Sequence, residues 1–215
     1  MLGFLLLAVS VALPARAESG DEVWTSFGAR HWVADTVRLD VSQHLRFDQG
    51  LSRLHEVMPE TAVAWDLTGW ARVGAGYRYA QKRGKDDAFK AGHRVHVQAR
   101  ARLGVEPVSL SYRIRFQERI ELGARPEFKH TVRNRLSLEV GSERSFTPGM
   151  AIERFTVLAG GVQAEKSRQT AFLEYRPVKQ HVLEGFVRRE ISLEDPAEPV
   201  VRIFGLDYQY RFPKK

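Results

Sequence analysis

The sequence predicts an all-β fold, an antiparallel up-and-down transmembrane β-barrel of about ten strands, with twelve as the alternative count. Three observations predict it. From Val95 to Leu103 every second residue is apolar and the intervening ones are polar or basic, and the same period recurs over Leu110 to Ile120 and Val132 to Val140. Successive side chains of a strand point to opposite faces, so each segment carries one apolar face and one arginine-bearing face. Connections between such segments alternate in length, as in outer-membrane barrels with short periplasmic turns and longer external loops. The chain also opens on an apolar run, Leu2 to Leu13, followed by Pro14-Ala15-Arg16-Ala17.

Taken in order, residues 1–17 read as a signal peptide cut after Ala17, because the apolar run is too short to span a bilayer as a helix. No later stretch approaches the ~18 apolar residues a transmembrane helix needs, so membrane residence has to come from strands. Residues 18–35 read as an N-terminal periplasmic segment or a first strand, with period two over Val23 to Trp32, and residues 36–215 as the barrel. Strands are expected at Thr36 to Asp48, Leu54 to Asp66, Trp70 to Gln81, His93 to Leu103, Val108 to Glu121, Thr131 to Val140, Met150 to Leu158, Gln169 to Arg176, His181 to Ile191 and Val200 to Phe212. The second and seventh of these alternate poorly. Pro59 removes a ladder donor, which predicts a bulge or a later start. Tight turns fall at Leu67 to Gly69, Gly104 to Pro107 and Pro177 to Gln180; longer charged loops fall at Lys82 to Gly92, Leu122 to Lys129, Ala159 to Arg168 and Ser192 to Pro199. Bacterial barrels normally have an even strand count. Working back from Phe212 at the periplasmic side then makes Thr36 to Asp48 the first of ten strands. Val23 to Trp32 would lie in the periplasm, fold into the lumen, or belong to a barrel of twelve.

The chain has 215 residues, a formal net charge of +7 and no cysteine. Loss of residues 1–17 removes only the charge of Arg16, and the lack of thiols suits an exported protein. A strand-built nucleic-acid binder needs stacking aromatics on the same face as its cations. Here Leu110, Tyr112, Ile114 and Phe116 lie opposite Arg113 and Arg115, which argues against nucleic acid. A soluble periplasmic ligand-binding barrel shows the same period with the polarity inverted, apolar within and arginine in water. The export signal and the strand number favour the membrane version. So does a closing strand whose outward residues Phe204, Leu206, Tyr208, Tyr210 and Phe212 suit an interfacial girdle. The expected partners are outer-membrane lipids, lipopolysaccharide and the barrel-assembly machinery of a Gram-negative envelope.

The N-terminal signal, Trp24, the alternating block Arg94, Arg100, Arg102, Arg113, Arg115, Arg119, Arg133 and Arg135, and the aromatic last strand together resemble the outer-membrane barrels of domain-of-unknown-function family 2490. The resemblance covers the mature chain. It implies an outer-membrane barrel of about ten to twelve strands and brings no activity with it. Pro213-Lys214-Lys215 extend past the terminal aromatic, where such strands commonly finish on it.

The predicted lumenal charge cluster contains those eight arginines together with Glu121, Glu139, Glu174 and Glu184. Arginine forks pair bidentately with carboxylates, so closure of the sheet should crosslink the lumen with salt bridges and largely plug it, a structural role. If several guanidinium groups stay unpaired, the lumen is instead a narrow anion-selective path for a small anionic solute. The third reading is an outer-membrane lipid hydrolase or protease. Its only candidate is Ser42 with His44, two apart on one strand face with Asp40 beside them. Polar lumen filling explains that pair as well, and the balance is against an enzyme. His93 and His96 fall on opposite faces of a strand and cannot share a metal, so no metal and no cofactor are expected. Gly74 and Gly76 lack a following helix and read as room for bulky neighbours. Lys82-Arg83-Gly84-Lys85-Asp86-Asp87 reads as a solvated loop.

Overall fold

The computed structural model describes residues 21–48, 51–84, 86–122, 126–141, 145–158, 161–195 and 197–214, and the signal reading over residues 1–17 lies outside them. Eleven strands close into one barrel: β1 (Glu22–Trp32), β2 (Val37–Asp48), β3 (Arg53–Asp66), β4 (Ala71–Arg83), β5 (Phe89–Val105), β6 (Val108–Glu121), β7 (Glu127–Val140), β8 (Phe146–Val157), β9 (Gln163–Val178), β10 (His181–Ser192) and β11 (Val201–Arg211). Each strand pairs antiparallel with its sequence neighbours, and the period-two segments of the sequence are strands of the barrel.

Closure departs from the parity rule. β11 returns parallel to β1, in register from Glu22↔Ile203 to Arg30↔Arg211. A parallel seam closes an odd number of strands, so the count is eleven where parity led to ten, and β1 is a wall strand. Asp21 and Lys214 consequently lie at opposite rims, and the described chain does not begin and end on one side.

Several strands outrun their sequence-predicted limits. The expected loop Ala159 to Arg168 is strand from Gln163 onward, because a bulge shifts the β8–β9 register between Phe155 and Thr156 and breaks the period that marks a strand. Pro59 neither bulges β3 nor delays its start. It stands opposite Gln43 in a β2–β3 register that runs without a shift from Val37↔Trp65 to Arg46↔Glu56. Toward β4 the register runs unshifted from Val57↔Gln81 to Glu60↔Arg78, so the missing donor costs a gap in one ladder and no displacement. The bulge of β3 lies instead at His55, the extra residue between Glu56 and Leu54 opposite the step from Arg46 to Phe47.

The two faces of the wall are opposite in character. Phe27, Val63, Trp65, Val97, Tyr112, Ile114 and Ile152 are exposed on the outside, while Glu56, His96, Arg115, Gln117, Glu153 and Arg168 are buried within. This is the reverse of the apolar interior that a soluble barrel with arginines in water would have. One glycine of the Gly74-x-Gly76 pair makes room for a lumenal ring: a Cβ at Gly76 would stand 2.4 Å from Cε1 of His96.

Candidate functional site

Register turns the alternating arginines into rows around the inner wall. One row runs through Glu60, Arg78, Arg94, Arg119 and Lys129 on β3 to β7. Another runs through Asp66, Arg72, Arg100, Arg113, Arg135, Glu153, Arg168 and Glu190 on β3 to β10. Four arginines thus stand side by side on β4 to β7, an arrangement that repels across the ladder.

Carboxylates within these rows and elsewhere on the wall answer part of this charge. The Glu153 carboxylate, on a residue 3% exposed, is the hub. It accepts from Arg113 Nη2 at 2.7 Å and from Arg133 Nη2 at 2.9 Å and lies 3.7 Å from Arg168. Arg168 also reaches Glu190 at 2.5 Å, which Lys166 meets at 2.9 Å. Arg46 pairs with Glu56 at 2.7 Å and Arg78 with Glu60. Nearer the other rim, Glu139 accepts from Arg102 at 2.9 Å and lies 3.9 Å from Arg100. Glu121 meets Arg119, and Glu174 meets Arg176 and lies 3.9 Å from Arg211. Glu184 stands in the ladder between Glu174 and Asp207 with no ion pair among the described residues. Outside the strands, a hydrogen bond from Arg83 and the nearby charge of Arg53 hold the Asp87 carboxyl below its ordinary value.

Trp24 enters this network as a ring among guanidinium groups. Arg46 lies 3.8 Å from its ring centroid, and Arg168 and Arg188 each lie 5.0 Å from it. Among the described residues the lumen holds two adjoining chambers, and a further cavity of about 620 Å³ lies toward the rim beside Glu56, Arg94 and Arg119. The larger of the two adjoining chambers, about 440 Å³, is lined by thirteen Arg and Lys side chains against five carboxylates. The smaller, about 230 Å³, holds Arg100, Ser111, Glu139, Glu174 and Glu184. Arg113 and Arg135 line both chambers and therefore stand between them.

Of the predicted cluster, Arg100, Arg102, Arg113, Arg119 and Arg133 have a carboxylate within 4.0 Å. Arg94, Arg115 and Arg135 have none among the described residues. Arg115 instead donates twice to Gln98 Oε1, at 3.0 and 2.7 Å, and Arg135 donates to Ser137 at 3.1 Å. Ser42 and His44 do meet, Oγ to Nε2 at 3.0 Å. Asp40, however, is held by Arg30 at 2.5 Å and Arg38 at 3.2 Å, which leaves it committed to guanidinium groups. His93 and His96 lie on opposite faces: Nδ1 of His93 meets the Tyr77 hydroxyl outside at 2.6 Å, and His96 is 4% exposed inside. The last-strand aromatics gather beside the seam. The Tyr208 hydroxyl is 2.9 Å from His181 Nδ1, Tyr210 and Phe212 pack edge to face at 4.9 Å, and Phe204 stands opposite Val23 and Val187.

Sequence reasoning missed the centre of the network. Glu153 lies on a poorly alternating strand, Arg168 was expected in a loop, and Trp24 was noted without a place in the lumen. The alternation Met150, Ile152 against Ala151, Glu153 was the available signal.

Comparison with known proteins adds one match. A family model described as protein of unknown function (DUF2490) matches residues 21–192. No curated protein and no solved structure matches the chain.

Proposed function

The chain belongs to the DUF2490 family of proteins of unknown function, and on that premise we propose that it is an integral barrel of a Gram-negative outer membrane whose lumen is sealed by its own charges. The carrying observation is the inverted polarity of the wall, with Phe27, Trp65, Val97, Ile114 and Ile152 outside and Glu56, Arg115, Glu153 and Arg168 within. Apolar side chains exposed at so many outward positions would be costly in water and are favourable against lipid tails. The shortest strands have 11 residues, enough for a tilted transmembrane strand of about 9–11. The aromatic group at His181, Tyr208, Tyr210 and Phe212 suits a headgroup interface. Lipids and lipopolysaccharide are then its immediate surroundings, and the barrel-assembly machinery its route there.

The sealed lumen is supported by Trp24 among three guanidinium groups, by the Glu153 hub, and by Arg113 and Arg135 between the chambers. A narrow anion-selective path is the second reading, favoured by the cation excess of the larger chamber. The lipid hydrolase or protease reading is left with the Ser42–His44 contact alone.

Refolding the mature chain into detergent and comparing boiled with unboiled electrophoretic mobility tests the membrane reading. Heat-modifiable mobility, together with retention in membranes after alkaline wash, is the expected result. A monodisperse protein in detergent-free buffer would overturn it. Conductance in planar bilayers then separates the readings: near silence supports the sealed lumen, and sustained anion-selective steps support the channel.

A further inference from the structure

We propose that the larger chamber of the lumen is a binding site for a compact multivalent phosphoryl anion, held by Arg94, Arg115, Arg135 and Arg188. This rests on the interior alone and holds whether or not the barrel sits in a membrane. The chamber of about 440 Å³ falls within the range of roughly 300–1,000 Å³ of small-molecule sites. Its thirteen cationic side chains face five carboxylates, and an excess of cations stays after Glu121 and Glu190, outside the lining, have met Arg119, Lys166 and Arg168.

Four guanidinium groups carry the argument. None of Arg94, Arg115, Arg135 and Arg188 has a carboxylate within 4.0 Å among the described residues, although all four line the chamber. Arg115, 9% exposed, is fixed by Gln98 through Nε and Nη2, which leaves its Nη1 undonated. Arg188 is held similarly, by Nε to Thr170 at 3.1 Å. Nε of Arg94 is buried with no hydrogen-bond partner, a costly state that an acceptor inside the chamber relieves. Ladder neighbours compound the need: Arg94 stands between Arg78 and Arg119, and Arg115 beside Arg133. Side chains pre-positioned by neutral amide and hydroxyl groups, with charges left over, form a receptor for an anion.

Chemistry narrows the ligand. Guanidinium forks match the paired oxygens of a phosphoryl group, and a multivalent anion answers more of the excess than chloride or a monocarboxylate. An aryl or nucleobase ligand would need an open ring to stack on. The chamber's rings are already covered, Trp24 by Arg46 at 3.8 Å, Phe155 by Arg133 at 4.5 Å and Phe186 by Arg188 at 4.4 Å. The ligand is therefore a compact phosphoryl species, either free in solution or the phosphorylated headgroup of a lipid.

Titration calorimetry on the full chain folded in detergent, at constant ionic strength, tests this with inorganic pyrophosphate, sodium chloride and a diphosphorylated short-chain lipid as separate arms. Saturable binding of pyrophosphate with a raised Tm is expected for a solute site, and saturable binding of the lipid alone for a headgroup site. Arg94→Gln and Arg115→Gln should each weaken binding by about tenfold or more, the scale of one charged hydrogen bond. Both remove repulsion, so their ligand-free Tm should not fall. Arg30→Gln, away from the chamber, should bind as the unaltered chain does. Absence of saturable binding in both phosphoryl arms, an equal effect of chloride, or unaltered affinity in both chamber variants overturns the proposal.

Discussion

Arg133 on β7 holds Glu153 on β8 with two nitrogens: Nη2 donates to both carboxylate oxygens, at 3.0 and 2.9 Å, and Nε donates to one of them at 3.2 Å. The same carboxylate takes Arg113 from β6 and borders Arg168 on β9, so one buried acid ties four strands together. Such clusters are poor evidence of net stability, since desolvating the ions offsets their attraction. Removing the one anion among three cations is another matter.

Glu153→Gln should therefore destabilise the folded barrel by about 3–5 kcal/mol, the cost of uncompensated buried charge. Urea unfolding in detergent, followed by tryptophan fluorescence, measures it. Glu139→Gln is the comparison, because its partner Arg102 is 43% exposed, and an exposed pair contributes about 0–1 kcal/mol. Equal effects of the two substitutions would show that the hub is screened by water.

Trp24→Ala removes the ring that Arg46, Arg168 and Arg188 surround. On the sealed-lumen reading, this variant should show larger and more frequent conductance steps than the parent in planar bilayers. Unchanged traces would place the constriction elsewhere, with Arg113 and Arg135 as the next targets.

Gly149→Ala should cost about 1–3 kcal/mol by overpacking. A Cβ there meets Cζ of Phe172 at 2.3 Å and the backbone oxygen of Leu138 at 2.8 Å. Pairing it with Phe172→Leu should recover only part of the loss, because the carbonyl stays where it is. Full recovery in the unfolding midpoint would mean that the ring alone sets the cost.

With no cysteine in the chain, single substitutions report sidedness cleanly. On the membrane reading, an impermeant maleimide added to sealed vesicles carrying the protein should label Asp21→Cys together with Glu194→Cys, or Thr68→Cys together with Lys214→Cys, but not both sets. These pairs share a rim when β1 and β11 run parallel. Labelling of Asp21→Cys and Lys214→Cys from the same side would contradict the seam.

Much of this architecture was legible in the sequence. Period two at Val95 to Leu103 and Leu110 to Ile120 marked the wall and its faces, because the pleat imposes that period wherever one side must differ from the other. Gly104 to Pro107 likewise marked a tight connection between β5 and β6. What stayed hidden depends on events a local period does not carry. The slip at Phe155 and Thr156 masked Glu153 and Arg168, the hub's acid and one of its bases. Which arginine meets which acid follows from register between strands. Arg113 and Arg115 look alike in sequence, yet one finds Glu153 and the other only Gln98. The parallel seam was hidden for the same reason, since pairing between the first and last strands leaves no mark on the period of either.

That seam also sets how the molecule bears force. Its nine residue pairs join strands running the same way, with one end of the described chain at each rim. Tension applied between Asp21 and Lys214 slides β1 along β11 and loads those slanted, evenly spaced hydrogen bonds together. A barrel closed antiparallel, pulled by ends on one rim, peels open one pair at a time. Drawn from both ends, this one resists as a shear joint.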